Sequence, residues 1–148
     1  IFLMSNDLGF NVNVEDIMVK KVITVDEDET VSNAVDIMNE HGIGCLIVVS
    51  EGIAVGILTE RDLLKRVLAK AKDPKETKVH EVMTQPLIYV SPDTDIDKAK
   101  AIMSKFNIKK LPVMDREGHL VGLITVTDIA NSLERMLGKL DENLDFAI

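Results

Sequence analysis

Two stretches carry the same chemistry at the same spacing: Thr59, Arg61 and Asp62 in Gly56-Ile57-Leu58-Thr59-Glu60-Arg61-Asp62, and Thr125, Thr127 and Asp128 in Gly122-Leu123-Ile124-Thr125-Val126-Thr127-Asp128. In each, an apolar run with the β-branched content of a buried strand ends in Thr-x-x-Asp. After the first, Leu63, Leu64, Val67, Leu68 and Ala71 follow at helical spacing. The chain is therefore expected to pass from strand to helix at the threonine. A helix start offers unpaired N–H groups and the positive end of the dipole, which suits anions and ligand hydroxyls. An ionised carboxylate three residues further on only accepts hydrogen bonds, and it can take them from a vicinal diol. The same four residues also spell a capping box, in which threonine is the N-cap and the acid reaches back. Both readings stand for one copy, and repetition in register favours a functional one. Arg61 and Asp62 are neighbours that do not face each other on a helix, so Arg61 is not simply the counter-ion of Asp62. Its guanidinium adds a forked, permanent donor suited to phosphate, where Thr127 offers only a hydroxyl. The alternative for Arg61 is pairing with Glu60 or plain solvation.

These residues belong to a longer repeat. Displacement by 65 positions superposes Val14 on Val79, Met18 on Met83, Ile23 on Ile88, Ala34 on Ala99, Ile43 on Ile108 and Val48 on Val113. One residue added in a turn makes the offset 66, and Gly56, Thr59 and Asp62 then meet Gly122, Thr125 and Asp128. The span from about 13 to 137 reads as two copies of one supersecondary unit, 13–71 and 79–137, with a linker at 72–78 and extensions at 1–12 and 138–148. Neither copy is long enough to bury its apolar face by itself.

The elements that must position the site follow in order. Asn13 caps a short helix through Met18, with His80 to Met83 as its counterpart. Val22 to Val25 is a short strand. Val31, Ala34, Val35 and Met38 mark one buried helical face behind the cap Thr30, and Gly42 ends that helix as Asn107 does in the second copy. Cys45 to Val49 with Ala54 to Leu58, and Lys110 to Met114 with His119 to Ile124, read as antiparallel hairpins. The helix after Thr59 runs to about Ala71. Lys70 to Lys78, with four lysines and a proline, is a solvated connection, and the last helix runs from Thr125 to Leu137 with Gly138 as its stop.

Composition narrows the function. With 148 residues, 46% hydrophobic and 28% charged, the chain has material for one soluble globular module. It shows no apolar run of membrane length and no secretory leader, so a cytoplasmic protein is expected. A net charge of −8 and five aromatics (Phe2, Phe10, Phe106, Phe146 and Tyr89) argue against a nucleic-acid surface. His41, His80 and His119 lack metal-ligand spacing, and Cys45 in an apolar strand reads as a buried small hydrophobe, so neither a metal site nor a catalytic centre is expected.

The order of elements, and the segments Asp16-Ile17-Met18, Glu81-Val82-Met83, Thr30-Val31-Ser32-Asn33-Ala34, Lys110-Leu111-Pro112-Val113-Met114-Asp115 and the two Thr-x-x-Asp stretches, resemble the CBS domain, and the pair resembles a Bateman module. The resemblance implies an α/β (α+β) fold of two tandem repeats, each a short sheet with helices packed on one face, related by a pseudo-twofold. It also implies a stand-alone regulatory module, not an enzyme, that dimerises and signals to an effector protein not encoded in the chain. Adenosyl ligands such as AMP, ADP, ATP or S-adenosylmethionine would lie in clefts between the repeats. Asp62 and Asp128 would then accept from ribose hydroxyls, with Thr59 and Thr125 at ribose or phosphate. Adenine would lie near Ile23, Ile43, Gly44 and Cys45 in one cleft and near Thr84, Ile88, Ile108, Lys109 and Lys110 in the other. Thr84 follows the family pattern after Met83, whereas Val19 departs from it after Met18. The alternatives are an interaction protein with empty clefts and, third, a nucleic-acid binder.

Overall fold

The helix signals act locally and hold. In a computed structural model that describes residues 12–147, Thr30 accepts from the Asn33 N–H at 3.1 Å and opens α2 (Val31–His41). Gly42 closes it in the left-handed region at φ 62°, and Asn107 closes α5 (Ile96–Phe106) the same way at φ 53°. The strand β1 (Thr24–Asp26), two residues later than the apolar pattern starts, runs parallel to β2 (Cys45–Ser50), and β2 pairs antiparallel with β3 (Ile53–Thr59). In the second copy β4 (Lys110–Met114) and β5 (Leu120–Thr125) form the hairpin, and the equivalent of β1 shrinks to one parallel bridge between Val90 and Val113.

Two compact units result, and they cut across the sequence copies. Among the described residues, one holds Lys21–Ile88 with Gly118–Leu120; the other holds 12–20 together with Tyr89–Glu117 and 121–147. The short helix α1 (Val14–Ile17) therefore sits in the unit of β4 and β5, and α4 (Val79–Val82) sits in the unit of β1 to β3. Backbone pairing explains the exchange. Past α1, Val19 and Leu123 trade both hydrogen bonds at 2.9 Å; past α4, Thr84 and Ile57 do so at 2.8 and 3.0 Å. The strand must be bare where that segment crosses. A Cβ on Gly56 would lie 2.8 Å from the Thr84 carbonyl oxygen, and one on Gly122 would lie 3.1 Å from that of Val19. In the first of these units Val25, Val31, Ala34, Met38, Leu46, Val48, Leu58, Val67, Val79, Val82 and Met83 make the core. Within the other, Val14, Ile96, Ala99, Leu111, Val113 and Ile124 are buried.

Two sequence expectations are corrected and a third is extended. The helix after Thr59 is not uniformly α: α3 (Glu60–Asp62) passes into a π-helix at Leu63–Leu68, where the Ala69 N–H reaches the Leu64 carbonyl at 2.9 Å. The connection at 72–78 is more than a solvated link. Its Pro74 and Thr77 carbonyls each accept at 2.9 Å from Ser32 and Val31, first-turn donors of α2 that have no partner within the helix, and Thr77 is buried. Finally, α6 (Val126–Ala147) runs through Gly138 instead of stopping there. A glycine inside a helix costs only about 1 kcal/mol against alanine, and Met136, Leu137, Lys139 and Leu140 around it are good helix formers. The N-terminal extension from Ile1 to Asn11 lies outside the described residues.

Candidate functional site

Each Thr-x-x-Asp folds as a capping box because strand gives way to helix at the threonine. Thr59 Oγ1 accepts from the Asp62 N–H at 3.2 Å, and Asp62 Oδ2 accepts from the Thr59 N–H at 2.9 Å. Thr125 and Asp128 repeat the exchange at 3.0 and 3.2 Å. The first helical N–H is satisfied too: Glu60 donates to the Gly44 carbonyl at 3.1 Å, and Val126 to that of Lys109 at 3.0 Å. Capping thus uses one carboxylate oxygen of each acid and leaves the other for further chemistry.

That second oxygen is treated differently in the two units. Asp62 is 5% exposed, and its Oδ1 accepts from the Thr84 hydroxyl at 2.7 Å, with Arg66 Nη1 3.8 Å away. Arg66 is held in place by donating to the carbonyls of Val82 and Met83 at 3.0 and 2.8 Å, at the end of α4. Asp128 is more open, and its Oδ1 has no hydrogen-bond partner among the described residues. It borders a cavity of about 600 Å³ whose other walls are Ile17, Asn131, Glu134 and Arg135.

The remaining expected site residues divide between the units. Ile23, Ile43, Gly44, Cys45, Thr59, Arg61, Asp62, Thr84 and Ile88 fall in the unit of β1 to β3; Ile108, Lys109, Lys110, Thr125, Thr127 and Asp128 fall in the other. Ile23 and Ile43 pack against the core, and Cys45 is buried in β2. Arg61 is exposed and makes no ion pair with Glu60 or with any other described residue. Lys109 is also exposed and stands beside the start of α6 through its carbonyl. Sequence reasoning missed Arg66 and the cavity wall Asn131, Glu134 and Arg135. The last three fall about one and two turns after Asp128, which was the available signal.

The model of the CBS domain matches residues 14–69 and again 79–135. Among curated proteins, the CBS domain-containing protein YhcV of Bacillus subtilis is 34% identical over 118 residues, covering 80% of this chain and 83% of its own. The inosine-5′-monophosphate dehydrogenase of Methanocaldococcus jannaschii is 36% identical over 116 residues, 78% of this chain but only 22% of the dehydrogenase. Among solved structures, the CBS domain pair of protein MJ0100 in complex with 5′-methylthioadenosine and S-adenosyl-L-methionine is 33% identical, with a TM-score of 0.77 over 85% of this chain and 98% of that one.

Proposed function

The chain belongs to the CBS domain family and carries two tandem copies in a mixed α+β fold; from that premise we propose that it is a non-catalytic sensor module. It takes an adenosyl ligand of the AMP, ADP, ATP or S-adenosylmethionine type and signals occupancy to a partner protein. One observation carries the reading: the Asp128 carboxylate has one oxygen committed to its cap and one, without a partner among the described residues, at the edge of a cavity of about 600 Å³. An acceptor-only group so placed suits a ribose diol. The MJ0100 pair, a third identical to this chain, is solved with two adenosyl compounds, which supports the class. The match to about a fifth of a dehydrogenase supports an accessory role beside other proteins' chemistry. A thermal-shift panel of AMP, ADP, ATP, S-adenosylmethionine, NAD and short RNA tests this. A ligand at a hundred times its dissociation constant stabilises by about 2.7 kcal/mol. If none of the adenosyl compounds raises the melting temperature, the sensor reading fails and the interaction protein without ligand takes its place. Engagement of both Asp62 carboxylate oxygens by its own chain favours that second reading at one of the two acids.

Arg61, which makes no ion pair among the described residues, gives this function a phosphate test. In an Asp128→Asn background, so that the site at Asp62 is read by itself, Arg61→Ala is expected to weaken AMP binding about tenfold. Adenosine should stay within about twofold. Equal losses by calorimetry would leave Arg61 an ordinary surface charge.

The helices also argue for self-association. Leu64 and Leu68 on the π-helix are 59% and 72% exposed, and Leu133 and Leu137 on α6 are 43% and 58% exposed. Apolar stripes of this kind usually mark an interface, so a homodimer is the expected state. Light scattering at micromolar concentration should give twice the chain mass, and a monomer mass would remove the dimer.

No helix among the described residues is long and apolar enough to cross a membrane.

A further inference from the structure

The two acids occupy equivalent places, which makes their different surroundings informative. Thr84 pairs with Ile57 one residue beyond Gly56, just as Val19 pairs with Leu123 one residue beyond Gly122. Thr84 is therefore the structural counterpart of Val19, and the hydroxyl that one unit aims at its acid is a methyl in the other. The residue four places after each acid differs as well: Arg66 after Asp62, Ser132 after Asp128.

We propose that Asp62 is latched by its own chain through the Thr84 hydroxyl, so that Asp128 receives an adenosyl ligand first and Thr84 sets the affinity of the second site. The proposal rests on the sensor reading above and assigns an order to its two sites. A carboxylate has about four lone-pair positions. At Asp62 one oxygen takes the Thr59 N–H and the other the Thr84 hydroxyl, and only 5% exposure is left for anything else. A diol can bind this acid only after Thr84 turns away, and the charge-assisted hydrogen bond lost in that turn offsets the ones the diol brings. Arg66 contributes only its charge, 3.8 Å from Oδ1, because its Nη1 donates to the carbonyls of Val82 and Met83. Displacing Thr84 would also disturb the segment that α4 anchors. Occupancy of the second site would thereby reach the backbone, whereas filling the open oxygen of Asp128 breaks no hydrogen bond among the described residues.

The probe is 5′-methylthioadenosine, which carries the ribose diol and no phosphate, titrated calorimetrically into the full chain. The wild type is expected to show one tight site per chain that Asp128→Asn removes and Asp62→Asn leaves. Thr84→Val, which copies the other unit, should strengthen the second site about tenfold or more. Val19→Thr, which installs the hydroxyl beside Asp128, should weaken the first by a similar factor. Thr84→Ser keeps the hydroxyl and should titrate like wild type, which separates an effect of the latch from one of packing. Two equal sites in the wild type, or a second site weakened by Thr84→Val, would overturn the latch and leave the sensor function standing, with Thr84 as an ordinary ligand contact. No binding by wild type or by Thr84→Val would remove the function and the latch together.

Discussion

Asp62→Ala is expected to lower the unfolding free energy by about 2–4 kcal/mol, while Asp128→Ala lowers it by only about 1 kcal/mol. The common part is the cap. Removing the acid from a capping box leaves the N–H of the capping threonine without its acceptor, which costs about 1 kcal/mol. At Asp62 the Thr84 hydroxyl also loses an ionised acceptor 2.7 Å away, and a hydrogen bond to a charged group contributes about 1.5–3 kcal/mol. Arg66 adds little in direct ion pairing, because it stands 3.8 Å off and its side chain is 47% exposed. Its two hydrogen bonds to Val82 and Met83 do not depend on the acid and should persist. Urea denaturation of the two variants decides the matter through the difference between them. Equal losses would mean that Thr84 contributes nothing to Asp62, and the second site would then stand as open as the first.

What the sequence revealed and what it concealed divide along a physical line. Signals that act within one turn were legible. Thr30, Gly42 and Asn107 bound their helices where their types say they should, and both Thr-x-x-Asp stretches close as capping boxes. The cap does not exclude the functional reading, because it uses only one of the two carboxylate oxygens. Relations across the chain were not legible. Nothing local tells that Thr84 lies on Asp62, 22 residues away, or that Arg66 reaches the end of α4. The contrast between Thr84 and Val19 was visible as a departure from the family pattern, yet its consequence needed the crossing at Gly56 and Gly122 to become a statement about the acids. The π-helix is a subtler case. Leu63, Leu64, Val67 and Leu68 have the spacing of a buried α-helical face, but Leu64 and Leu68 are exposed. Apolar spacing marks a helical face and does not by itself say how much of that face its own chain covers.

Asp128→Asn is expected to weaken adenosyl binding ten- to a hundredfold while leaving stability within about 1 kcal/mol of wild type. The substitution separates the two uses of the side chain. An asparagine carbonyl still accepts from the Thr125 N–H, so the cap survives nearly intact. What is lost is the charge at the cavity, together with one of two acceptor oxygens, since the amide nitrogen that replaces it is a donor. With the remaining oxygen kept by the Thr125 N–H, a diol that had faced the open Oδ1 then faces a competing donor, and the loss of a charged hydrogen bond of about 1.5–3 kcal/mol converts to the stated range. Asp128 suits the experiment better than Asp62 for a structural reason. Its outer oxygen has no partner among the described residues, so no internal hydrogen bond is broken by the change and the binding loss is not confounded with a loosened fold. Calorimetry with 5′-methylthioadenosine and a urea melt on the same sample read both quantities. Unchanged affinity with a lowered melt would make Asp128 a cap and nothing more. Weakened affinity with an unchanged melt would make it the acceptor of the ligand's diol.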